Sequence, residues 1–178
     1  MSASPAIEIE QLTADDEKTM ATLADLVNRV YAIAEDSMWV PGATRTNPEE
    51  LARFTQAGQI VVARIAGEIV GSIRVQQLDA QTAETGMLVS SPEHRNRGIG
   101  TQLRNHVITQ LRARGTTTLQ IELLVPRNHT QDSKQFMAAW NERTGYKVVR
   151  HGALEDHYPD LAPLLATPCD YIIYNKPL

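Results

Sequence analysis

The segment "SSPEHRNRGIGTQLRNHVITQLRARG", residues 90–115, sets a glycine-rich turn and an arginine pair directly before a stretch of helical periodicity. Backbone N–H groups at the start of a helix lack intrahelical partners and lie at the positive end of the helix dipole, so such a junction attracts an anion. Gly98 and Gly100 let the backbone approach a pyrophosphate without an intervening Cβ, and Arg95 and Arg97 add local positive charge. The plainer alternative is a tight turn beside two solvated arginines, and glycine spacing alone does not separate the two. Two familiar phosphate loops fail on their own terms. A P-loop needs Lys and then Ser or Thr after its last glycine, whereas Gly100 is followed by Thr101 and Gln102. The dinucleotide fingerprint needs a small residue three positions after its second glycine, and Leu103 stands there.

The elements that must position this turn follow from the period of the apolar residues. Residues 6–12 alternate as a strand, and 14–37 carry Met20, Leu23, Leu26, Val27, Val30 and Tyr31 at helical spacing after an acidic start. Asn47 as N-cap, Pro48 at the first helical position and Gly58 at the exit predict a second, short helix. Two β-branched runs, 59–65 and 68–78, flank the short connection at 66–68, and a third strand over 84–90 completes an antiparallel meander. Ile99, Leu103, Val107, Ile108 and Leu111 share one side of a helix with Gly115 at its C′ position. A buried strand (118–125), a helix ending at Gly145, a strand over 146–152, a turn-like stretch over 155–168 and a last strand over 169–176 follow. A meander followed by β-α-β predicts an α/β fold of mixed α+β order, with a central sheet covered by helices on both faces. We read residues 1–178 as a single domain, a length that buries a core without staples.

Composition narrows the partners. A formal charge of -4 gives no global attraction to polyanions, so nucleic acid is not expected. Cys169 is the only cysteine, which excludes an internal disulfide framework and a cysteine-rich zinc site and fits a reducing compartment. The amino terminus lacks a basic-then-apolar leader, and no run approaches the roughly 18 apolar residues of a membrane span. The expectation is a cytoplasmic chain with no membrane partner.

Arg95-Asn96-Arg97-Gly98-Ile99-Gly100 fits the acyl-CoA loop of the GNAT superfamily of N-acetyltransferases: Arg or Gln, two residues, Gly, one residue, then Gly or Ala. The preceding "ETGMLVSSPEHR" resembles that family's fourth strand, with its Glu at the start and its Pro just before the loop. The family's order of elements also matches essentially the whole chain. The resemblance implies a central, mostly antiparallel sheet of about seven strands, with strands four and five splayed to admit acetyl-CoA as acetyl donor. It assigns the backbone amides of Arg95, Asn96, Arg97, Gly98, Ile99, Gly100 and Thr101 to the pyrophosphate. The backbone of Leu88, Val89 and Ser90 would pair with the pantetheine arm like an added strand, and the Leu88 amide would donate to the thioester oxygen.

The implied reaction is direct attack of an amine on the thioester, which requires a proton acceptor because an ammonium has no lone pair. Glu84, at the strand-four position where several family members carry their base, is the first candidate, and Glu122 on the neighbouring strand is the second. The alternative for each is a strand-end carboxylate facing solvent or pairing with an arginine. Asn141 stands where the family often has a Tyr that protonates the leaving thiolate; an amide can hydrogen-bond a thiolate but not protonate it. Trp140 is expected in the core, from its place on the helix's apolar side.

The family's first two helices and their link wall the acceptor site. Here that region holds Tyr31, Glu35, Asp36, Trp39 and Arg45, of which Tyr31, Glu35 and Trp39 are the candidate acceptor contacts. Carboxylates beside aromatic rings suit a cationic amine, while a solvated helix end and loop is the alternative. His151, Asp156, His157 and Tyr158 form a second, weaker set without ligand spacing, so no metal is expected. The leading acceptor is a small-molecule amine, including amino-acid-like ones. A peptide acceptor and a catalytically weak CoA-binding sensor are the alternatives, and a homodimer stays open.

Overall fold

Asp16 and Asn47 begin the two helices that the sequence predicts. The Asp16 carboxylate accepts from the Thr19 amide at 3.0 Å ahead of α1 (Glu17–Ala34), and Asn47 accepts from the Glu50 amide at 2.8 Å ahead of α2 (Pro48–Gln56). The coordinates are a computed structural model describing residues 5–178, so the first four residues of the single-domain reading lie outside the described residues.

Seven strands form one sheet in the order β1-β2-β3-β4-β5-β7-β6: β1 (Ile7–Gln11), β2 (Ile60–Ile65), β3 (Glu68–Gln77), β4 (Thr82–Ser90), β5 (Thr118–Pro126), β6 (Lys147–Gly152) and β7 (Cys169–Pro177). All neighbours are antiparallel except β4 and β5. That parallel pair joins only Thr82–Thr85 to Thr118–Ile121, and the two strands part beyond it. A bulge in β4 accompanies the parting. Ser72 opposes Val89 and Arg74 opposes Gly86, so Met87 and Leu88 both face Ile73, and Met87 takes a left-handed φ of 49°.

Helix α3 (Ile99–Ala113) and α4 (Asp132–Arg143) cover one face of the sheet, where Ile99, Leu103, Val107 and Leu111 pack on β2, β3 and β5. α1 and α2 cover the other, burying Met20, Leu23, Val27 and Leu51 against Ile60, Val62, Met87 and Val89. Gly71 on β3 sets how closely α3 sits. A Cβ there would lie 2.6 Å from Ile99 Cγ2 and 2.9 Å from the Val89 carbonyl.

The stretch over 155–168, turn-like in sequence, is more structured than that. It holds the end of the one-turn α5 (Leu154–His157) and a 3-10 turn at Ala162–Leu164. It also pairs with the segment after α1: Val40 N donates to Leu164 O at 2.8 Å, Ala166 N donates to Met38 O at 2.9 Å, and Trp39 bridges Leu165. A single helical turn carries too few residues to show an apolar period. No helix among the described residues is long and apolar enough to cross a membrane.

Candidate active site

A cavity of about 1090 Å³ runs from the gap between β4 and β5 to the start of α3, walled by the end of α1, by α4 and by the α5 region. At one end lies the glycine-rich turn. Asn96 and Gly98 take left-handed φ values of 62° and 71°, which swing the chain into α3, and no side chain caps the helix at Gly98. The first amides of α3 therefore face the cavity without an internal partner. A Cβ on Gly100 would meet Ser90 Oγ and Trp140 at 3.6 Å, within the mouth itself. Arg95 is exposed and Arg97 half-buried, its Nη2 donating to the Pro5 carbonyl at 2.5 Å. Arg29 on α1 pairs with Glu93 at 2.5 Å and braces the turn from outside.

Every residue assigned to the loop from Arg95 to Thr101 lines this cavity, as do Leu88 and Ser90. Val89 does not. Its side chain is buried against α1, and that of Ile99 is buried on the opposite face, so either can offer only backbone. Leu88 has no partner in the register with β3 or with β5.

Glu84 and Glu122 meet inside the cavity, one from each parting strand. Neither faces open solvent nor pairs with an arginine. Gln120 Nε2 donates to Glu84 Oε2 at 2.8 Å. Burial, and next the charge of Glu122, push the Glu84 carboxyl up to about 7. Tyr158 Oη donates to Glu122 Oε2 at 3.2 Å, and His157 Nδ1 lies 3.9 Å from Glu122 Oε1. The Tyr158 and Tyr171 hydroxyls are held far above their ordinary range by burial and by Glu122 beside them, so both stay protonated.

Asn141 is 1% exposed, and its Oδ1 accepts from Arg104 Nη2 at 2.9 Å. A guanidinium only donates, so this bond fixes the amide with its oxygen toward Arg104 and leaves Nδ2 as the free donor. Arg104 is itself buried between the rings of Trp140, 3.7 Å from its centroid, and Tyr146, with Nη1 unpartnered. Trp140 departs from expectation. It is half-buried, stacks on Phe136 and lines the cavity rather than joining the core, because α4 turns this edge toward the gap and not onto the sheet.

Tyr31, Glu35 and Trp39 line the opposite end of the cavity, together with Arg45 and Tyr158. This region is not a solvated helix end. Glu35 is 6% exposed; its Oε1 is bonded to Lys134 Nζ, and its Oε2 accepts from Trp39 Nε1 at 2.5 Å. Glu35 therefore serves as a link between α1 and α4 and is not a free carboxylate. Of the weaker set, Tyr158 joins the cavity and His157 adjoins Glu122, whereas His151 and Asp156 are exposed and line no part of it. Among the described residues no group of three or more His, Cys, Asp and Glu stands where it could hold a metal ion.

Sequence reasoning passed over Lys134, Arg104 and Gln120. Arg104 had a signal, since it interrupts the apolar side of α3 four residues before Ile108 and seven before Leu111. Lys134 and Gln120 had none, because their partners are set by tertiary packing alone.

The acetyltransferase (GNAT) family profile matches residues 27–141. No curated protein matches the chain in sequence. Among solved structures, an aminoglycoside 6'-N-acetyltransferase complexed with coenzyme A is 19% identical with a TM-score of 0.69, over 96% of each chain. The ribosomal-protein-S18-alanine N-acetyltransferase of Escherichia coli is 17% identical with a TM-score of 0.65, over 97% of this chain and 94% of its own. The N-acetylglutamate synthase of Neisseria gonorrhoeae, complexed with coenzyme A and N-acetyl-glutamate, is 17% identical with a TM-score of 0.61; 99% of this chain aligns, spanning 36% of that one. At these identities the structures speak to the fold, and they share it. Joined to a family match across most of the helices and strands that build the cavity, they lead to one conclusion about kinship: this chain belongs to the GNAT acetyltransferase family.

Proposed function

We propose that the protein transfers the acetyl group of acetyl-CoA to the primary amine of a small-molecule or amino-acid-like acceptor by direct attack. The observation that carries this reading is the Glu84–Glu122 pair, held inside the same cavity that ends at the uncapped start of α3. In this reading the chain acts as one domain without a metal. The α3 amides and the turn from Arg95 to Gly98 bind the pyrophosphate, and the free edge of β4 at Leu88–Ser90 takes the pantetheine arm.

The Glu84–Glu122 pair accepts a proton from the ammonium. The amine nitrogen then attacks the thioester carbon, and the Leu88 amide stabilises the oxyanion that forms. As the C–S bond breaks, the electron pair passes to sulfur. Asn141 Nδ2, aimed by Arg104, hydrogen-bonds the thiolate, the second proton of the attacking nitrogen passes through water to the sulfur, and the proton held by the carboxylate pair is released to solvent, so the reaction yields an acetamide, a free thiol and one proton. Tyr31, Glu35 and Trp39 wall the acceptor end.

A metabolite is favoured over a peptide because the segment after α1 bridges to the loop before β7 and roofs the acceptor end. A panel of amines and amino-terminal peptides, scored by thiol release from acetyl-CoA, tests the reading. Turnover of small amines is expected. Turnover of peptides alone would move the acceptor to protein, and acetyl-CoA binding without any turnover would make the protein a sensor.

A further inference from the structure

Arg45 is a cation without an ion-pair partner at the acceptor end of the cavity. Its guanidinium lies 5.3 Å from the centroid of the Tyr31 ring and 5.9 Å from that of Tyr158. Among the described residues it makes no ion pair. The carboxylates nearest in charge are already engaged: Glu35 holds Lys134 and Trp39, and Glu50 Oε2 accepts from Thr46 Oγ1 at 2.6 Å.

The position of Arg45 is built. Asn28 Oδ1 accepts from the Arg45 amide at 2.9 Å and the Thr46 amide at 3.0 Å, while Asn28 Nδ2 donates to the Thr46 carbonyl at 3.0 Å. These three bonds pin the loop to α1 and leave the guanidinium where the main cavity meets a side chamber of about 250 Å³, both of which it lines. A single side chain, Tyr158, spans from Arg45 to the carboxylate pair, with its ring near the guanidinium and its hydroxyl on Glu122. Thus one compact chamber has proton-accepting carboxylates on one side and a free planar cation on the other.

We infer that Arg45 binds an anionic group of the acceptor, and that the acceptor is an amine with a carboxylate close to it, as in a free amino acid. This inference rests on the acetyl-transfer reading above. The ammonium faces Glu84 and Glu122, and the carboxylate takes the paired N–H groups of the guanidinium, a geometry that a lysine cannot reproduce. An amine without the anion leaves Arg45 unpaired on binding, which sets the preference. A bracing role, in which Arg45 only orients Tyr158 through its ring, predicts no such preference.

The test uses matched sets of amino acids, their carboxamides and the corresponding decarboxylated amines. Two readouts are taken: kcat/KM by thiol release, and calorimetric binding to the protein saturated with CoA. The parent is expected to favour the carboxylate-bearing member by roughly ten- to a hundredfold, the range of a charge-assisted hydrogen bond. In Arg45→Gln that ratio should fall toward one, chiefly through KM, and Arg45→Lys should recover only part of it. Retained acetyl-CoA affinity and melting temperature confirm that each variant is folded. Equal preference among the three members in the parent, or an unchanged ratio in Arg45→Gln, overturns the inference. Selective binding of the carboxylate member without turnover upholds the anion site and sinks the acetyl-transfer reading. Turnover without selectivity does the reverse, and a protein that neither binds nor acetylates any member overturns both.

Discussion

Burial first, and next the charge of Glu122 beside it, penalise ionisation of Glu84, and the raised value of about 7 is the result. A carboxylate that titrates there suits the base that the proposed mechanism requires near neutral pH. Replacing Glu84 with Gln keeps the shape but removes the carboxylate that the proposed mechanism uses as proton acceptor, so kcat should fall by on the order of 10²-fold while acetyl-CoA affinity holds. The defect should shrink as pH rises, since more of the amine is then already unprotonated; kcat/KM against pH for both proteins checks this, and parental rates at neutral pH would pass the role to Glu122. Stability gives an independent reading of the same shift. The folded protein keeps the Glu84 proton up to about 7, whereas an unfolded chain releases it near the ordinary 4.5. Protonation thus favours the folded state, and that contribution is lost as pH rises from about 4.5 to about 7. Glu84→Gln should flatten this slope and melt higher than the parent above pH 7, relative to their difference near pH 4. At this scale sequence supplied the candidates but not their company. Glu84 was legible from its place in a strand-four pattern, whereas Tyr158 and Gln120 reach the pair only through the registers of the folded sheet.

The turn into α3 and the clamp between α1 and α4 are properties of elements. Gly98→Asp and Gly100→Asp place a Cβ and a negative charge where the reading puts the pyrophosphate, so both should lose acetyl-CoA binding by calorimetry while retaining a folded far-UV spectrum. Two folded variants that bind normally would remove the turn from the donor site. The Lys134–Glu35 pair is almost fully buried, and breaking it from one side strands a charge. Lys134→Met should destabilise the protein by about 3–5 kcal/mol, and adding Glu35→Gln should restore part of the loss; denaturant melts of the single and double variants measure both. The start of α2 was the most legible feature here, because Asn47 acts through a bond to Glu50 three places on and Pro48 through its own fixed φ and missing N–H. The clamp was invisible. Its partners lie 99 residues apart, and a lysine on α4 resembles any solvated lysine until α1 is laid beside it.

At the scale of the molecule, the element order apart from α5 and the two helical layers could be read from periodicity, since each strand and each longer helix shows its own repeat. The strand order, with β7 between β5 and β6, and the length of the β4–β5 pairing could not be read in that way, because both are set by pairing between segments distant in the chain. That short parallel pairing has a further consequence. β1 to β4 form one antiparallel block and β5 to β7 another, joined across the sheet by only four paired positions. Past Thr85 each block presents a row of backbone groups to the gap with no ladder opposite. Amide hydrogens on that side of Leu88 and Ser90 should exchange quickly in the free protein, far faster than those bonded inward to β3. A donor lying in the gap as an added strand would slow exchange there without changing the fold, stitching the two blocks through a molecule that leaves after every turnover. The enzyme would then be stiffest while loaded and loosest once its product has gone. Hydrogen-exchange mass spectrometry with and without acetyl-CoA should find the largest change at residues 86–90 and little at β1 or β6, and uniform protection across the sheet would rule this out.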